Sequence, residues 1–427
     1  MTSRDYALRE LDEKRLPNWN SGVVRTGKPY APPPDPRDLG LAENIIAGVV
    51  KNLLLLQHLT QHYSGRNLKS IDPVVQKILA IGLYQMRFLD RIPPSAAVDE
   101  AVEQTRRFGQ GRASGFVNAV LRKATRDPSP LLPGRDSPAE YARVVLSHPP
   151  ELFQKLQALL GTEDALQFCE HDQREAPTIV RLGRDADLSA LASDEVGVTP
   201  HEQAGMYVID GAKRAHLADW AGRGVAQVQD PTAALVVSHV GARTGERVLD
   251  RCCGLGTKTL QLRDAVGEAG RVTAMDPAQV RCRGLQRLLD ERGITNVAVR
   301  CAAWLADLTD APPSDSDRVL VDVPCSNSGV LARRPEARYA QGAAALRSLA
   351  KLQDRILNDT AAAVKPGGTL VYSTCSVWPE ENRHRVDAFL EQHVEFERMA
   401  DHSTLPSFDP DPTRYRDGGY WAVLRRK

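Results

Sequence analysis

Residues 246–276 read ERVLDRCCGLGTKTLQLRDAVGEAGRVTAMD. A short apolar run ends on Asp250, and a turn carrying Gly254 and Gly256 follows. A helical stretch then begins near Lys258, and a second apolar run ends on Asp276. The alternation continues through AQVRCRGLQRLLDERG, NVAVRCA, DRVLVDVP, a long helix around ALRSLAKLQDRILNDTAAAV, and GGTLVYSTC. Short apolar strands alternating with helices of this length predict a doubly wound, mostly parallel sheet. Ligands of such sheets lie beyond the carboxyl ends of the strands. Asp250, Asp276, Asp322 and Cys375 fall at or just past those ends, and Cys325 lies in the loop after one of them, which predicts one shared site.

Two of these ends carry a thiol. VLVDVPCSNSGVL, residues 319–331, holds Asp322 and Cys325; TLVYSTCSVWPEEN, residues 369–382, holds Cys375. From the residues alone the pair fits a disulfide, a metal site, two unrelated core cysteines or one active site. The turn DRCCGLGTKT lets the backbone approach a ligand and offers free helix N–H groups. It is neither the GxGxxG of a dinucleotide fold nor a Walker A loop. Asp276, 26 residues after Asp250, stands where an acid reaches ribose hydroxyls. A nucleoside-containing cofactor is therefore expected, of a kind the pattern leaves open.

At 427 residues the chain exceeds one ordinary core, so two or three domains are expected. No apolar run approaches the roughly 20 residues of a membrane span, and MTSRDYALRELDEKR is charged where a signal peptide is apolar. Seven scattered cysteines without a CxxC pair point to a reducing compartment, and away from a disulfide framework or structural zinc. The expectation is a cytoplasmic protein with neither membrane nor metal as a partner. LAENIIAGVVKNLLLLQHLTQHY, DPVVQKILAIGLYQMRFL, PPSAAVDEAVEQTRRF and ASGFVNAVLRKAT have helical spacing, so an all-α segment with a proline-rich linker is predicted over 1–137. Residues 138–235 mix helical and strand patterns and are expected to form a small α/β module; 236–427 form the alternating domain. The net charge of +1 conceals 19 basic against 13 acidic residues over 1–127, a net of +6. Residues 102–126 alone hold six basic residues and one acid, a footprint that suits nucleic acid or a solvated helix face equally.

The combination of VLDRCCGLGTKT, AMD, DVPCSNSGVLARRPEARY and YSTCSVWPEENR resembles the NOL/NOP/Sun RNA 5-methylcytosine methyltransferases. The helical segment is similar to the NusB-like RNA-binding domain, and FLDRIPPSAAVDEAV with GFVNAVLRK resembles the RsmB (Sun/Fmu) branch in particular. The resemblance implies an all-α NusB-like domain, a small α/β RNA-positioning module and a C-terminal Rossmann-like methyltransferase domain. It implies S-adenosylmethionine as cofactor and cytosine 967 of 16S rRNA as target, with no obligate protein partner. It assigns Cys375 as nucleophile, Cys325 to resolution and release, Asp322 to holding the base, and Lys258 as its helper. The cofactor residues it implies are Cys252, Cys253, Gly254, Leu255, Gly256, Thr257, Lys258, Asp276, Arg281 and Asp322. Arg106, Arg107, Arg122, Lys123, Arg333 and Arg334, with Arg338 nearby, are the candidates for RNA phosphates.

The chain departs from the family pattern in three places. The first motif, D-x-C-A-A-P-G-G-K-T, here carries Cys253-Gly254-Leu255-Gly256-Thr257 in place of A-A-P-G-G. Ala302 and Ala303 stand where an acid reaches the adenine, and the R-x-N signature reads Arg181-Leu182-Gly183. Alternative readings are a sibling activity on tRNA or another rRNA site, and an RNA-binding assembly factor without turnover.

Overall fold

An acid followed by proline starts three of the helices. Asp35, Asp72 and Asp230 each accept a backbone N–H two residues on, at 2.8 Å, and Pro36, Pro73 and Pro231 take the first helical position, where no donor is needed. The computed structural model describes residues 2–14, 32–33, 35–191, 193, 195–301 and 314–427. The chain divides into two compact units: Met1–Gln173 with Arg334–Ala340, and Arg174–Arg333 with Gln341–Lys427.

The first unit is helical: α1 (Ser3–Glu13), α2 (Pro36–Lys51), α3 (Leu53–Ser64), α4 (Pro73–Phe88), α5 (Pro94–Arg107), α6 (Ser114–Arg126), α7 (Pro150–Leu160) and α8 (Thr162–Gln173). Helix α4 is its axis, burying Val74, Val75, Ile78, Leu79, Ile81 and Leu83. Helix α6 buries Val117, Val120, Leu121 and Ala124, a stripe at helical spacing, and leaves Arg122, Lys123 and Arg126 exposed. Each fully buried side chain of the larger apolar kind contributes about 1.5–3 kcal/mol. Among the described residues no single helix is long and apolar enough to cross a membrane.

Residues 138–173, which the sequence pattern groups with the middle module, cluster with these helices instead. Their polar groups explain why. Ser147 Oγ accepts from Leu54 N at 2.8 Å, Gln173 Nε2 donates to Lys51 O at 3.3 Å, and buried His148 meets Asp172 at 3.0 Å. Arg338, only 1% exposed, donates to the carbonyls of Lys51, Leu146 and Asp172 at 3.1, 3.4 and 2.6 Å. It is a structural cap, and its guanidinium is not available to a phosphate.

The second unit holds two sheets. In the smaller, β1 (Thr178–Leu182), β2 (Gly197–Pro200), β3 (Met206–Asp210) and β4 (Ala226–Val228) run antiparallel in the order β2-β3-β1-β4, with α9 (Arg214–Arg223) preceding β4. Helix α10 (Pro231–Val240) leads into the larger sheet. There β5 (Arg247–Asp250), α11 (Thr257–Val266), β6 (Arg271–Asp276), α12 (Gln279–Glu291), β7 (Val297–Cys301), β8 (Ser316–Asp322), α13 (Ala343–Thr360) and β9 (Val364–Thr374) alternate. Helix α14 (Arg383–Gln392) and the strands β10 (Phe396–Thr404) and β11 (Gly419–Arg426) follow. The order is β10-β11-β9-β8-β5-β6-β7: β9 through β7 are parallel, as the alternation predicts, and the last two strands join antiparallel at the β9 edge. In the β8–β9 register Asp322 lies opposite Ser373.

Two glycines of α2 separate packing from propensity. A Cβ on Gly48 would lie 2.0 Å from Tyr84 Cζ, whereas one on Gly40 would meet nothing within 4 Å. Gly48→Ala should therefore destabilise the protein by about 1–3 kcal/mol through overpacking. Gly40→Ala should stabilise it by up to about 1 kcal/mol through helix propensity. Urea-unfolding midpoints of both variants against the parent check the pair.

Candidate active site

The carboxyl ends of β5, β6, β8 and β9 gather the polar residues that interrupt the apolar strands. Asp322, the last residue of β8, accepts from Ser373 Oγ at 2.7 Å and from Lys258 Nζ at 2.7 Å. Lys258 reaches it from the first turn of α11. Burial works against the Lys258 ammonium, but the charge and hydrogen bond of Asp322, aided by Cys375 and Asp250, outweigh it, and the net shift is upward. Lys258 therefore stays charged at neutral pH.

The two thiols meet beside this pair. Because β8 and β9 are neighbours, the loops leaving them run together, and Cys325 Sγ lies 3.2 Å from Cys375 Sγ. Cys375 donates to Asn327 Oδ1 at 3.1 Å, and Asn327 Nδ2 donates to Cys325 O at 3.0 Å. Asn327 holds φ at 59°, a left-handed conformation that asparagine tolerates better than most residues. The Cys325 thiol is pushed well up by its hydrogen bond with Cys375, then by burial and by the charges of Cys375 and Glu381. Cys325 is thus a proton-bearing thiol, 8% exposed, against the more open Cys375.

The glycine turn faces β6. Asp276 accepts from Gly254 N at 3.1 Å and from Ala278 N at 2.8 Å, and Arg281 lies 3.6 Å from its carboxylate. Gly256 precedes α11 with φ at +89°, and a Cβ there would lie 2.3 Å from Leu285 Cδ1. Only glycine fits. Gly254, at φ +57°, borders open space, and Leu255 is 68% exposed. Thr257 and Lys258 open α11, whose first N–H groups have no helical partner. Exposed backbone, a helix N-terminus and the Asp276 carboxylate fit a nucleoside-containing group. Cys252 and Cys253 are pushed far up by burial, so both remain inert thiols lining the turn. Ala302 and Ala303 lie outside the described residues. Asp250, buried beneath the turn, accepts from Thr259 Oγ1 at 2.7 Å, and burial pushes its carboxyl up to about 7.

The basic candidates divide. Arg106, Arg122, Lys123 and Arg334 are exposed, the first beside Glu103 and the second bonded to Asn118. Arg107 is engaged by Asp5 and Glu100 at 3.0 and 2.5 Å. Arg333 is engaged by Asp417 at 2.8 Å and Asp230 at 3.6 Å, and its guanidinium carbon lies 5.0 Å from the centre of the Tyr415 ring. At the altered R-x-N position, a Cβ on Gly183 would lie 2.2 Å from Gly224 O, which leaves no room for asparagine, and Arg181 pairs with Asp264 at 3.0 Å. Arg181, Arg184, Arg223, Arg263 and Arg292 line a cleft of about 580 Å³ that neither thiol borders. Asn327, Ser373 and Glu381 lie within the quoted thiol motifs, but nothing in residue type or spacing singles them out there.

Residues 238–409 match the family model for 16S rRNA methyltransferase RsmB/F, and residues 3–126 match the NusB family. The crystal structure of PH0851 superposes with a TM-score of 0.76 at 22% identity, covering 92% of this chain and 91% of that one, a likeness of fold. A Rossmann-like sheet with this turn and a NusB domain defines an enzyme of the S-adenosylmethionine-dependent methyltransferase class. Ribosomal RNA small subunit methyltransferase B of Vibrio cholerae serotype O1 is 32% identical over 92% of this chain and 90% of its own length. The same-named protein of Pseudomonas putida is 32% identical over 83% and 82%. The chain belongs to the ribosomal RNA small subunit methyltransferase B family.

Asp250 carries a pH signature. Its folded pKa lies above its unfolded value, so the stability it brings is complete below about pH 4 and is lost as pH rises through about 7. Asp250→Asn cannot ionise. It should gain on the parent across that window, by up to about 1.4 kcal/mol per pH unit. Unfolding midpoints of both proteins at a series of pH values would reveal the divergence; parallel curves would mean Asp250 is ionised throughout.

Proposed function

We propose that this protein methylates carbon 5 of a cytosine in 16S rRNA, in the cytoplasm, through a covalent adduct between Cys375 and carbon 6 of the base. The observation that carries this reading is the pair of sulfurs 3.2 Å apart beside the Lys258–Asp322 ion pair. Carbon 5 of cytosine is a weak nucleophile. Addition of a thiolate at carbon 6 turns the ring into an enamine and makes carbon 5 reactive. Bound S-adenosylmethionine, held by the turn 252–258, Asp276, Arg281 and Asp322, supplies an electrophilic methyl group.

The side chains divide the remaining work. Cys375 adds to carbon 6, with the Lys258 ammonium close by. Asp322 faces the base edge, where a carboxyl group assists protonation or hydrogen bonding at ring nitrogen 3. Aromaticity returns when carbon 5 gives its proton to water and the bond between carbon 6 and Cys375 Sγ breaks, its electron pair going to the sulfur. Cys325, kept as a thiol at hydrogen-bond distance, donates its proton to the leaving Cys375 sulfur.

A base that reaches Cys375 must be unpaired, and target choice then needs contacts elsewhere. Arg106, Arg122 and Lys123 on the helical unit, and Arg334, are proposed to meet RNA phosphates. Bisulfite sequencing of 16S rRNA from a deletion strain tests the activity directly: one cytosine should lose its protection, and an unchanged methylation map would overturn the reading.

Cys375→Ser should lower turnover roughly a thousandfold or more, because a hydroxyl cannot replace a thiolate at neutral pH. Cys325→Ala should still add to the base but fail to release it. A protein–RNA complex that survives denaturation should accumulate, and replacing Cys375 as well should abolish it. A trapped complex with Cys375→Ala, and none with Cys325→Ala, would exchange the two roles.

Replacing Arg106, Arg107, Arg122 and Lys123 with Gln should weaken rRNA binding and flatten its salt dependence. Every cation removed from a phosphate lowers the salt slope by roughly one unit. Arg107 is already ion-paired, so a decrease of about three units rather than four is expected. Binding curves at two salt concentrations measure it, with cofactor affinity unchanged; superimposed curves would make the patch a solvated face.

A further inference from the structure

We propose that Glu381 is a positioning residue that fixes the separation of the two thiols by tying together the serines that follow each cysteine. This rests on the reading of Cys325 and Cys375 given above. The Glu381 side chain is fully buried, and its two oxygens accept from four donors. Oε1 takes Ser326 N at 2.9 Å and Gln353 Nε2 at 3.0 Å; Oε2 takes Ser326 Oγ at 2.5 Å and Ser376 Oγ at 2.6 Å. Ser326 follows Cys325 and Ser376 follows Cys375, so one carboxyl group grips both loops one residue beyond the reacting sulfur.

The rest of the cluster closes around this clamp. Ser326 Oγ and Ser376 Oγ lie 3.3 Å apart, and Ser376 Oγ lies 3.0 Å from Ser328 Oγ, which accepts from Val377 N at 3.0 Å. Gln353 Nε2 also donates to Pro324 O at 3.0 Å, on the other side of Cys325. Asn382 holds the β9 side, donating to Ser376 O at 2.8 Å and accepting from Thr374 Oγ1 at 2.5 Å. A buried carboxyl group is costly unless its lone pairs are met, and here the donors that meet it come from the two loops and from α13. Losing the clamp frees both loops at once. Proton transfer between sulfurs needs close approach, so a drift of about 1 Å is enough to slow it.

The positioning role differs from mere structural support because the distance between the sulfurs can be measured chemically. Oxidised glutathione converts the Cys325–Cys375 pair to a disulfide: the two protein thiols are oxidised, the glutathione S–S bond is reduced, and the two thiol protons pass to the two glutathione thiols formed. The rate depends on how often the sulfurs meet. In Glu381→Gln, a nearly isosteric change that turns one acceptor into a donor, this rate should fall at least tenfold, as should kcat. KM for rRNA and cofactor affinity should change less than twofold. Ser326→Ala with Ser376→Ala removes the same clamp from the other side and should reproduce both losses, without adding to them in the Glu381→Gln background. The double serine variant decides the matter where Glu381→Gln does not fold. An unchanged disulfide rate in a folded variant would overturn the positioning role, even if turnover fell. A slowed disulfide rate in variants of a parent that methylates no cytosine would sustain the clamp and sink the proposed reaction instead.

Discussion

Parallel pairing of β8 with β9 is the constraint on which the candidate site depends. The register sets Asp322 opposite Ser373, so both strands end at the same level and their loops leave side by side. A slip of one residue would turn every side chain of one strand to the other face. Asp322 would lose Ser373 and Lys258, and Cys375 would start one residue out of step with Cys325. The register is itself held by burial, since Val319, Val321, Leu370 and Tyr372 all lie in the same core cluster. Apolar packing under the sheet thus fixes a polar distance at its end.

Charge then differentiates groups that the backbone has only gathered. Asp250, Asp276 and Asp322 crowd the ends of three strands, and their partners differ. Asp322 has an ammonium and a hydroxyl, and Asp276 has two backbone N–H groups and a nearby guanidinium. Asp250 has the Thr259 hydroxyl and the Cys252 backbone but no access to water, and burial, with Asp322 as a neighbouring negative charge, raises its carboxyl. The thiols sort the same way. Cys252 and Cys253 sit in the acid-rich turn, where burial suppresses their ionisation, whereas Cys375 is the more open sulfur, near Lys258.

Much of this is legible in the sequence because polar residues that break apolar strands are conspicuous. Asp276, Asp322, Cys325 and Cys375 can be read in that way, and so can the alternation that makes β5 through β9 parallel. Asn327 and Glu381 cannot, since their roles depend on partners 48 and 55 residues away in the chain. The antiparallel β10–β11 pair escapes for a related reason: no helix separates the two strands, so the alternating pattern says nothing about where they add. Residues 138–173 fall with the middle module because a proline-rich linker precedes them, although backbone carbonyls capped by Gln173 and Arg338 tie them to the helical unit. Charge counting has a parallel blind spot. It weighs Arg122 and Arg333 alike, yet one is solvated beside Asn118 and the other is locked between two aspartates.

The altered first motif yields to the same kind of reasoning. Replacing A-A-P-G-G with C-G-L-G-T changes most side chains of the turn, but what the fold demands of it is backbone. Gly256 must hold φ at +89° with Leu285 packed where a Cβ would stand, and that position is still glycine. Gly254 must donate its N–H to Asp276 at a positive φ, and a glycine serves there as well. Leu255, in place of the proline, points outward, and Cys253, in place of an alanine, packs into the core. The R-x-N position shows the converse, since the close approach of the Gly224 carbonyl forbids a side chain at 183 that the pattern would have placed there. Departures from a family pattern therefore cost little where the backbone conformation survives, and the two glycines of the turn keep that conformation.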